Sequence, residues 1–265
     1  MEKKLYYYLA KPRVYLPSGY SSRILGIDIL RGICVVLMIA DHFAVLFYNL
    51  AGDGFFDIKQ FAYEFITSDI RQGLRFIVIS VFFALSGICC KYSNNNFARS
   101  AKLMCFAVLL SIATYLLTVY DIYRCFIICG VIHCYAIFVF IYALIEKSVN
   151  KLSDFGRKIF WLDISLLFAV IAVLFSYFKP TIESGNFLIY LGVPQTGYVP
   201  QWEYASPPKL FWAFALGVAI GQFLPYTYSK RSCAFPLLTF CGKYAGYIYA
   251  LHVPIIALLI LAATK

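Results

Sequence analysis

The sequence predicts an all-α, polytopic integral membrane helical bundle of about seven transmembrane helices. Its 265 residues are 62% apolar and only 14% charged, with a mean hydropathy of +0.77, whereas a soluble domain is about half apolar and about one quarter charged. Long apolar windows recur along the chain, and most basic residues fall in the segments between them. These observations exclude an ordinary water-soluble enzyme.

Seven windows are long and apolar enough to cross, or nearly cross, a bilayer, which takes about 20 apolar residues in a helix. They lie at about residues 26–48, 73–91, 103–120, 125–145, 160–178, 209–225 and 245–263. Because spans of this length use most of the chain, we expect one transmembrane domain over residues 26–263. A cytoplasmic N-terminal segment over residues 1–25 precedes it.

The basic residues predict the orientation of the bundle. With a cytoplasmic N-terminus, fifteen Lys and Arg residues fall in segments placed inside and seven in segments placed outside. Cytoplasmic connections are enriched in Lys and Arg, so we expect the N-terminus inside and, after seven spans, the C-terminus outside. Membrane lipid also explains the net charge of +10, so no nucleic-acid partner is expected. We expect a multi-pass protein of the cell membrane.

The nine cysteines are scattered through apolar runs, and no CxxC pair occurs. This pattern excludes a disulfide-stapled scaffold and gives no support to a metal or redox site. Buried free thiols behave as small apolar side chains. We therefore expect no metal cofactor.

Two connections placed outside are long, at residues 51–72 and 179–208. Connections of more than about 15 residues in a compact bundle are usually functional or disordered. The second carries five aromatic residues, namely Phe187, Tyr190, Tyr198, Trp202 and Tyr204. They favour either an outward-facing acceptor site at the mouth of the bundle or an interfacial anchor for the connection.

The first span carries four ionisable residues, although a charge at mid-bilayer costs about 3 kcal/mol on insertion scales. Arg31 and His42 are eleven residues apart, close to three helical turns, so both project from one face about 16 Å apart along the axis. Asp28 is at ion-pair spacing from Arg31, and this pair is either structural or functional. Asp41 points about 100° away from His42 and is expected to bond to another helix.

All three histidines of the chain lie in predicted spans. His133 follows Gly130, while His252 precedes Pro254, whose missing N–H predicts a kink and an open acceptor at the carbonyl of Ala250. A histidine is a general base near neutral pH, which a hydroxyl or an amine needs in order to attack an acyl carbonyl. A proton relay in a transporter needs similar residues, so burial alone leaves both interpretations open.

The second span contributes Arg75 and Ser86. Arg75, at its outer edge, is either an interfacial anchor or a ligand for an anionic group. Ser86 and Gly87 are typical of close helix packing, and no GxSxG turn accompanies Ser86. A serine nucleophile is therefore not expected.

Several stretches resemble a known family. The stretch RILGIDILRGICVVLMIADHF is similar to the first-helix signature of the transmembrane acyltransferase superfamily, in which ten residues separate an Arg from a His, here Arg31 and His42. The rest resembles more narrowly the bacterial members of the heparan-alpha-glucosaminide N-acetyltransferase catalytic-domain family. The stretches are Arg75 followed by FFALSGI, GVIHCYAI with His133, LFWAFALGVAIGQF, and IYALHVPII with Tyr249, His252 and Pro254. The resemblance runs from about residue 23 to residue 260.

The resemblance implies an acyltransferase that moves an acyl group, expected to be acetyl, from cytoplasmic acyl-coenzyme A to an acceptor on the opposite face. The acceptor is a hydroxyl or amine of a sugar or another glycan-like molecule. His42 matches the base that deprotonates it. The expected catalytic residues are His42, Asp28, Arg31, His133 and His252, and the expected coenzyme-binding residues are Arg31, Arg75, Ser86 and Tyr249.

Other interpretations stay open. The main alternative is a proton-coupled transporter in which buried His and Asp residues relay charge, and a non-catalytic membrane receptor is a third. Within the acyltransferase hypothesis, direct transfer is favoured over a covalent acyl-enzyme. The sequence does not determine the acceptor, the acyl chain length or whether the chain forms a homodimer, and heparan sulfate is not implied for so short a chain.

Overall fold

A computed structural model describes residues 20–21, 24–121, 124–179, 181, 189, 193, 196, 205–224, 229–230 and 235–263. Five of the described helices are long and apolar enough to cross a membrane. An all-helical, multi-pass membrane protein is therefore confirmed, while the count of seven spans stays a prediction. The aromatic residues of the 179–208 connection, which are Phe187, Tyr190, Tyr198, Trp202 and Tyr204, lie outside the described residues.

The helices are α1 (Leu25–Leu50), α2 (Phe56–Thr67), α3 (Asp69–Cys90), α4 (Asn96–Val119), α5 (Val131–Val149), α6 (Asp154–Phe178), α7 (Pro207–Phe223), α8 (Pro236–Lys243) and α9 (Ala245–Ala263). A 3₁₀ turn at Asp53–Phe55 precedes α2. Strand β1 (Tyr20–Ser21) pairs antiparallel with strand β2 (Ser229–Lys230), with Tyr20 opposite Lys230. The five candidate spans are α1, α3, α4, α5 and α6.

Polar caps make two helices longer than the apolar windows. The Asn95 side chain accepts a hydrogen bond from the N–H of Ala98, so α4 begins at Asn96 rather than near 103. The Ser153 side chain accepts from the N–H of Gly156, so α6 begins at Asp154 rather than near 160. These side chains satisfy N–H groups that have no partner inside the helix.

The chain divides into two compact units, and the boundary falls inside α3. The α1 unit contains the described residues of 20–82 and 229–263, and the α5 unit contains those of 83–224. The prediction of one domain over residues 26–263 stays a prediction.

In the α1 unit, helix α1 packs against α2, α8 and α9. A Cβ at Gly32 would overlap the backbone of Leu238, and a Cβ at Gly242 would overlap the backbone of Asp28. The backbones of α1 and α8 therefore touch, as small residues allow in membrane helix pairs.

Helix α2 lies in the 51–72 connection, where no helix was predicted. Lys59, Ala62 and Ile66 are its less exposed residues, whereas Ile58 and Phe61 are 53% and 72% exposed. An exposed apolar stripe on a short helix between two spans is typical of a helix in the membrane interface. No helix was predicted here because the connection contains many charged residues, although its apolar residues have helical spacing.

In the α5 unit, α4 packs against α5, α5 against α7, and α7 against α6. Helices α4 and α5 are antiparallel, because Asn96 contacts Glu146 and Ser111 contacts His133. The buried ring of Phe138 lies between those of Phe83, Phe211 and Phe214, with centroids 5.0–5.6 Å away.

A non-helical segment, residues 124–130, runs beside α4 and corrects the prediction of a span over 125–145, since α5 begins only at Val131. The N–H groups of Cys125 and Ile127 donate to the hydroxyls of Thr118 and Thr114, at 3.1 and 3.2 Å. Four helical residues rise about 6 Å and two extended residues about 6.6 Å, so the two spacings match. The span was predicted from the apolar side chains of residues 125–130, which give no information about the threonine hydroxyls that bond to this backbone.

Helix α7 meets the last turns of α3 through glycine. A Cβ at Gly217 would overlap the backbone of Ala84, and one at Gly87 would overlap the carbonyl oxygen of Phe214. The packing interpretation of Gly87 is therefore confirmed.

We expect Gly217→Ala to lower the free energy of unfolding by about 1–3 kcal/mol, because the helices must separate to admit a methyl group. Thermal unfolding in lipid nanodiscs measures this change. The matched control is Gly73→Ala, since a Cβ at Gly73 in α3 meets nothing within 4 Å. Equal stability of the two variants would contradict the packing argument.

Candidate active site

Two histidines from different helices of the α1 unit contact each other. His42 Nδ1 lies 2.6 Å from His252 Nε2, joining α1 to α9. The rings stack with centroids 4.8 Å apart and an interplanar angle of 22°. The sequence placed each histidine inside an apolar helix but did not indicate that they meet.

The partners of His252 determine the tautomers of the pair. His252 Nδ1 lies 3.1 Å from the carbonyl oxygen of Ile248 and 2.9 Å from that of Tyr249. Carbonyl oxygens only accept, so this nitrogen carries the proton and, in the neutral ring, Nε2 accepts. His42 Nδ1 must then donate to His252 Nε2. The lone pair of the neutral His42 ring is therefore on its Nε2, as a general base requires.

Asp28 and Arg31 form the ion pair that their spacing predicted. Arg31 Nη1 lies 3.2 Å from Asp28 Oδ1, and the two side chains are 15% and 8% exposed. The same nitrogen is 3.5 Å from the carbonyl oxygen of Gly242 in α8. The face of α1 that carries Arg31 and His42 is thus directed at α8 and α9, away from lipid.

Asp41 bonds to another helix, as predicted. Its carboxylate accepts two hydrogen bonds from Arg71 of α3, from Nε at 2.5 Å and from Nη2 at 3.1 Å. Arg71 Nη1 also donates to the carbonyl oxygen of Ile66, at 3.0 Å. This bidentate pair therefore holds the junction of α2 and α3 against α1, one residue before His42. In the sequence, Arg71 is only one of the basic residues of the 51–72 connection.

His133 lies in the α5 unit, where two neighbours engage its ring nitrogens. Nδ1 accepts from the N–H of Gly130, at 3.1 Å, so in the neutral ring Nε2 carries the proton and donates to Ser111 Oγ, at 2.9 Å. Ser111 Oγ in turn donates to the carbonyl oxygen of Ile127, at 2.8 Å. These contacts tie the start of α5 to α4 and favour a structural role, and a catalytic role stays a prediction.

The expected coenzyme-binding residues are distributed over both units. Arg75 is partly buried in the α1 unit, and the Tyr249 ring lies 5.7 Å from that of His252. Ser86, in the α5 unit, is buried and lies 3.4 Å from Nη2 of Arg99. In the sequence, Arg99 is one of the basic residues of a segment placed inside, and nothing in the sequence indicates that its side chain contacts Ser86.

A cavity of about 350 Å³ lies between α1 and α2 of the α1 unit. It is lined by Tyr48, Phe56, Lys59, Gln60 and Tyr63. The rings of Tyr48 and Tyr63 are 5.5 Å apart, and Lys59 Nζ donates to the carbonyl oxygen of Ala51, at 3.1 Å. The lining combines aromatic faces with an ammonium and an amide, which suits a polar ligand that has an apolar face.

We expect the Asp41–Arg71 pair to couple strongly in a double-mutant cycle with Asp41→Asn and Arg71→Gln. The side chains are only 17% and 12% exposed, so the coupling free energy should reach about 1–3 kcal/mol. Chemical unfolding of the four proteins in mixed micelles measures it. The control cycle uses Asp121 and Arg124, which are 81% and 79% exposed and should couple by under about 1 kcal/mol. Equal couplings in the two cycles would contradict a structural role of the Arg71 contact.

The comparisons with known proteins bear on this geometry. The family model described as heparan-alpha-glucosaminide N-acetyltransferase, catalytic, matches residues 23–254. No curated protein and no solved structure matches the chain significantly. The match spans α1 to α8 and reaches into α9, so it includes both histidines of the pair. The chain therefore belongs to the heparan-alpha-glucosaminide N-acetyltransferase catalytic-domain family, which implies a membrane acetyltransferase.

Proposed function

We propose that the protein transfers an acetyl group from cytoplasmic acetyl-coenzyme A to a hydroxyl or amine of a sugar or glycan-like acceptor on the outer side of the cell membrane. The His42–His252 contact carries this proposal. It gives one imidazole a defined tautomer and a defined orientation inside an apolar helix pair. A base oriented by a second group is the arrangement that nucleophile activation needs.

In this mechanism His42 Nε2 takes the proton of the acceptor as the acceptor oxygen or nitrogen bonds to the thioester carbonyl carbon. The tetrahedral intermediate collapses, the carbon–sulfur bond breaks, and the proton passes from His42 to the departing thiolate. The imidazolium that forms in between donates from Nδ1 to His252 Nε2. Because His252 donates in turn to the carbonyl oxygens of Ile248 and Tyr249, the chain of hydrogen bonds ends on fixed backbone acceptors.

Within the α1 unit, Arg31, Arg75 and Tyr249 are proposed to bind the coenzyme, and Asp28 orients Arg31. Ser86 of the α5 unit is also proposed as a coenzyme-binding residue. Arginine suits this task because its planar group offers paired donors to phosphate and carboxylate oxygens. Arg31 already uses one nitrogen for both Asp28 and Gly242, which fixes the direction of its side chain. A catalytic role of His133, which lies in the α5 unit, stays part of the proposal.

We further propose that the N-terminus is cytoplasmic and that α7 and α9 complete seven spans. The excess of basic residues in the segments placed inside supports this orientation. The 17 residues of α7 give a length of about 25 Å, and α9 contains the apolar stretch Leu251–Ala263. In this orientation His42 is in the outer half of the membrane.

The acceptor is proposed to bind in the cavity between α1 and α2. Tyr48 lies six residues after His42 on α1, a rise of about 9 Å. Aromatic faces together with Lys59 and Gln60 suit the apolar face and the hydroxyls of a sugar ring.

We expect His42→Ala to lower acetyl transfer by about 10²- to 10⁴-fold, because general-base help is lost. Purified protein in lipid vesicles, labelled acetyl-coenzyme A and glucosamine as probe acceptor provide the assay. The matched control is Val36→Ala on the same helix, whose side chain is 40% exposed and should leave the rate unchanged. Transfer by His42→Ala at the wild-type rate would exclude His42 as the base.

We expect His252→Leu to lower kcat by about 10- to 100-fold, the usual cost of losing a group that orients a reactive residue, with little change in KM. His252→Gln keeps a side-chain carbonyl that accepts from His42 Nδ1, so it should recover part of kcat. Steady-state kinetics of the two variants separate positioning from packing. A purely structural role predicts equal loss in both variants, together with a lower unfolding temperature.

A further inference from the structure

Arg99 of α4 lies among neutral groups in the α5 unit. Its Nη2 donates to the hydroxyl of Tyr135 and lies 3.4 Å from Ser86 Oγ. Its Nη1 lies 3.8 Å from Cys90 Sγ, and its guanidinium carbon is 5.2 Å from the centre of the Tyr135 ring. Helices α3, α4 and α5 thus converge on one cation.

The direction of this side chain differs from that of a snorkelling arginine. Arg99 is in the first turn of α4, where a snorkelling side chain would turn back toward the nearby interface. In the antiparallel register of α4 and α5, Arg99 lies level with the turn that contains Ala143. Tyr135 is eight residues, or about 12 Å, further from that end of the pair. The guanidinium therefore reaches along α4 into the interior of the helices.

The cation also has no carboxylate partner among the described residues. None of the ion pairs in the described part of the chain includes Arg99. A charge withdrawn from water is costly unless an opposite charge compensates it. A basic residue in the first turn also opposes the helix dipole, so α4 gains nothing from it. Within the described part of the chain, these features favour an anion-binding site at Arg99.

We propose that Arg99, Ser86 and Tyr135 bind a phosphate group. The guanidinium supplies charge and paired donors. Ser86 and Tyr135 also carry hydroxyl groups, the kind of side-chain donor that phosphate oxygens accept from. Two sources share this chemistry, the phosphates of the acyl-coenzyme A donor and the headgroup of an anionic phospholipid. The first source rests on the proposed function, since Arg99 is close to the end of α4 that the proposed orientation places at the cytoplasm.

The test compares wild type with Arg99→Gln and Arg99→Lys in phosphatidylcholine nanodiscs. Coenzyme A, 4′-phosphopantetheine and pantetheine are titrated calorimetrically, because the first two carry phosphate and the third does not. We expect Arg99→Gln to weaken binding of both phosphorylated probes about 10- to 100-fold and to leave pantetheine unchanged. Arg99→Lys, which retains the charge without the paired donors, should be intermediate. The control Lys102→Gln removes an exposed charge from the same helix and should change affinities less than about twofold.

A second arm measures the unfolding temperature of the same proteins without coenzyme, in phosphatidylcholine and in phosphatidylglycerol nanodiscs. A stabilisation by phosphatidylglycerol that disappears in Arg99→Gln would identify the lipid as the source. If neither the phosphorylated probes nor phosphatidylglycerol distinguishes Arg99→Gln from wild type, the phosphate site is excluded. If the site is excluded in this way while Arg99→Gln still transfers acetyl at the wild-type rate, this inference fails but the proposed function does not. If the wild type binds coenzyme through Arg99 but transfers no acetyl group, the phosphate site is supported and the proposed function fails.

Discussion

The free energy of withdrawing polar groups from water is the constraint on which this structure depends. In an apolar helix pair no water compensates a buried imidazole or carboxylate, so each needs a partner from the protein. His42 finds His252 on α9, and Asp41 finds Arg71 on α3. These two neighbouring residues of α1 therefore connect it to α9 and to α3. The contact with His252 also gives His42 the tautomer that a base requires. One hydrogen bond therefore serves both the packing of α1 against α9 and the proposed chemistry.

Much of the fold follows from the sequence because apolar helices of this length have few alternatives. The five long spans fall within the predicted windows apart from their ends, and the ends differ where polar caps such as Asn95 extend a helix. Residues 125–130 were misassigned for a physical reason. Hydropathy measures side chains, whereas the backbone of this segment bonds to threonine hydroxyls on a neighbouring helix.

The sequence predicted on which face of α1 each residue of the candidate site lies, but not which residues of other helices it contacts. Helical periodicity specifies where a side chain points around its own axis, so Arg31 and His42 could be assigned to one face and Asp41 to another. Which helix lies opposite depends on packing that no single helix encodes. The contact of His42 with His252, and that of Arg99 with Ser86, therefore became apparent only from the structure.

The threonine contacts of residues 124–130 have a consequence for how this chain tolerates change in length. Connections between helices usually accept insertions, because their backbone bonds to water. Here the N–H groups of Cys125 and Ile127 are in register with Thr118 and Thr114. A residue inserted between Cys125 and Ile127 would shift that register by about 3.3 Å, so the two N–H groups could no longer both reach a threonine hydroxyl. The spacing of two threonines on α4 therefore fixes the length of this segment, whereas most connections between helices vary in length.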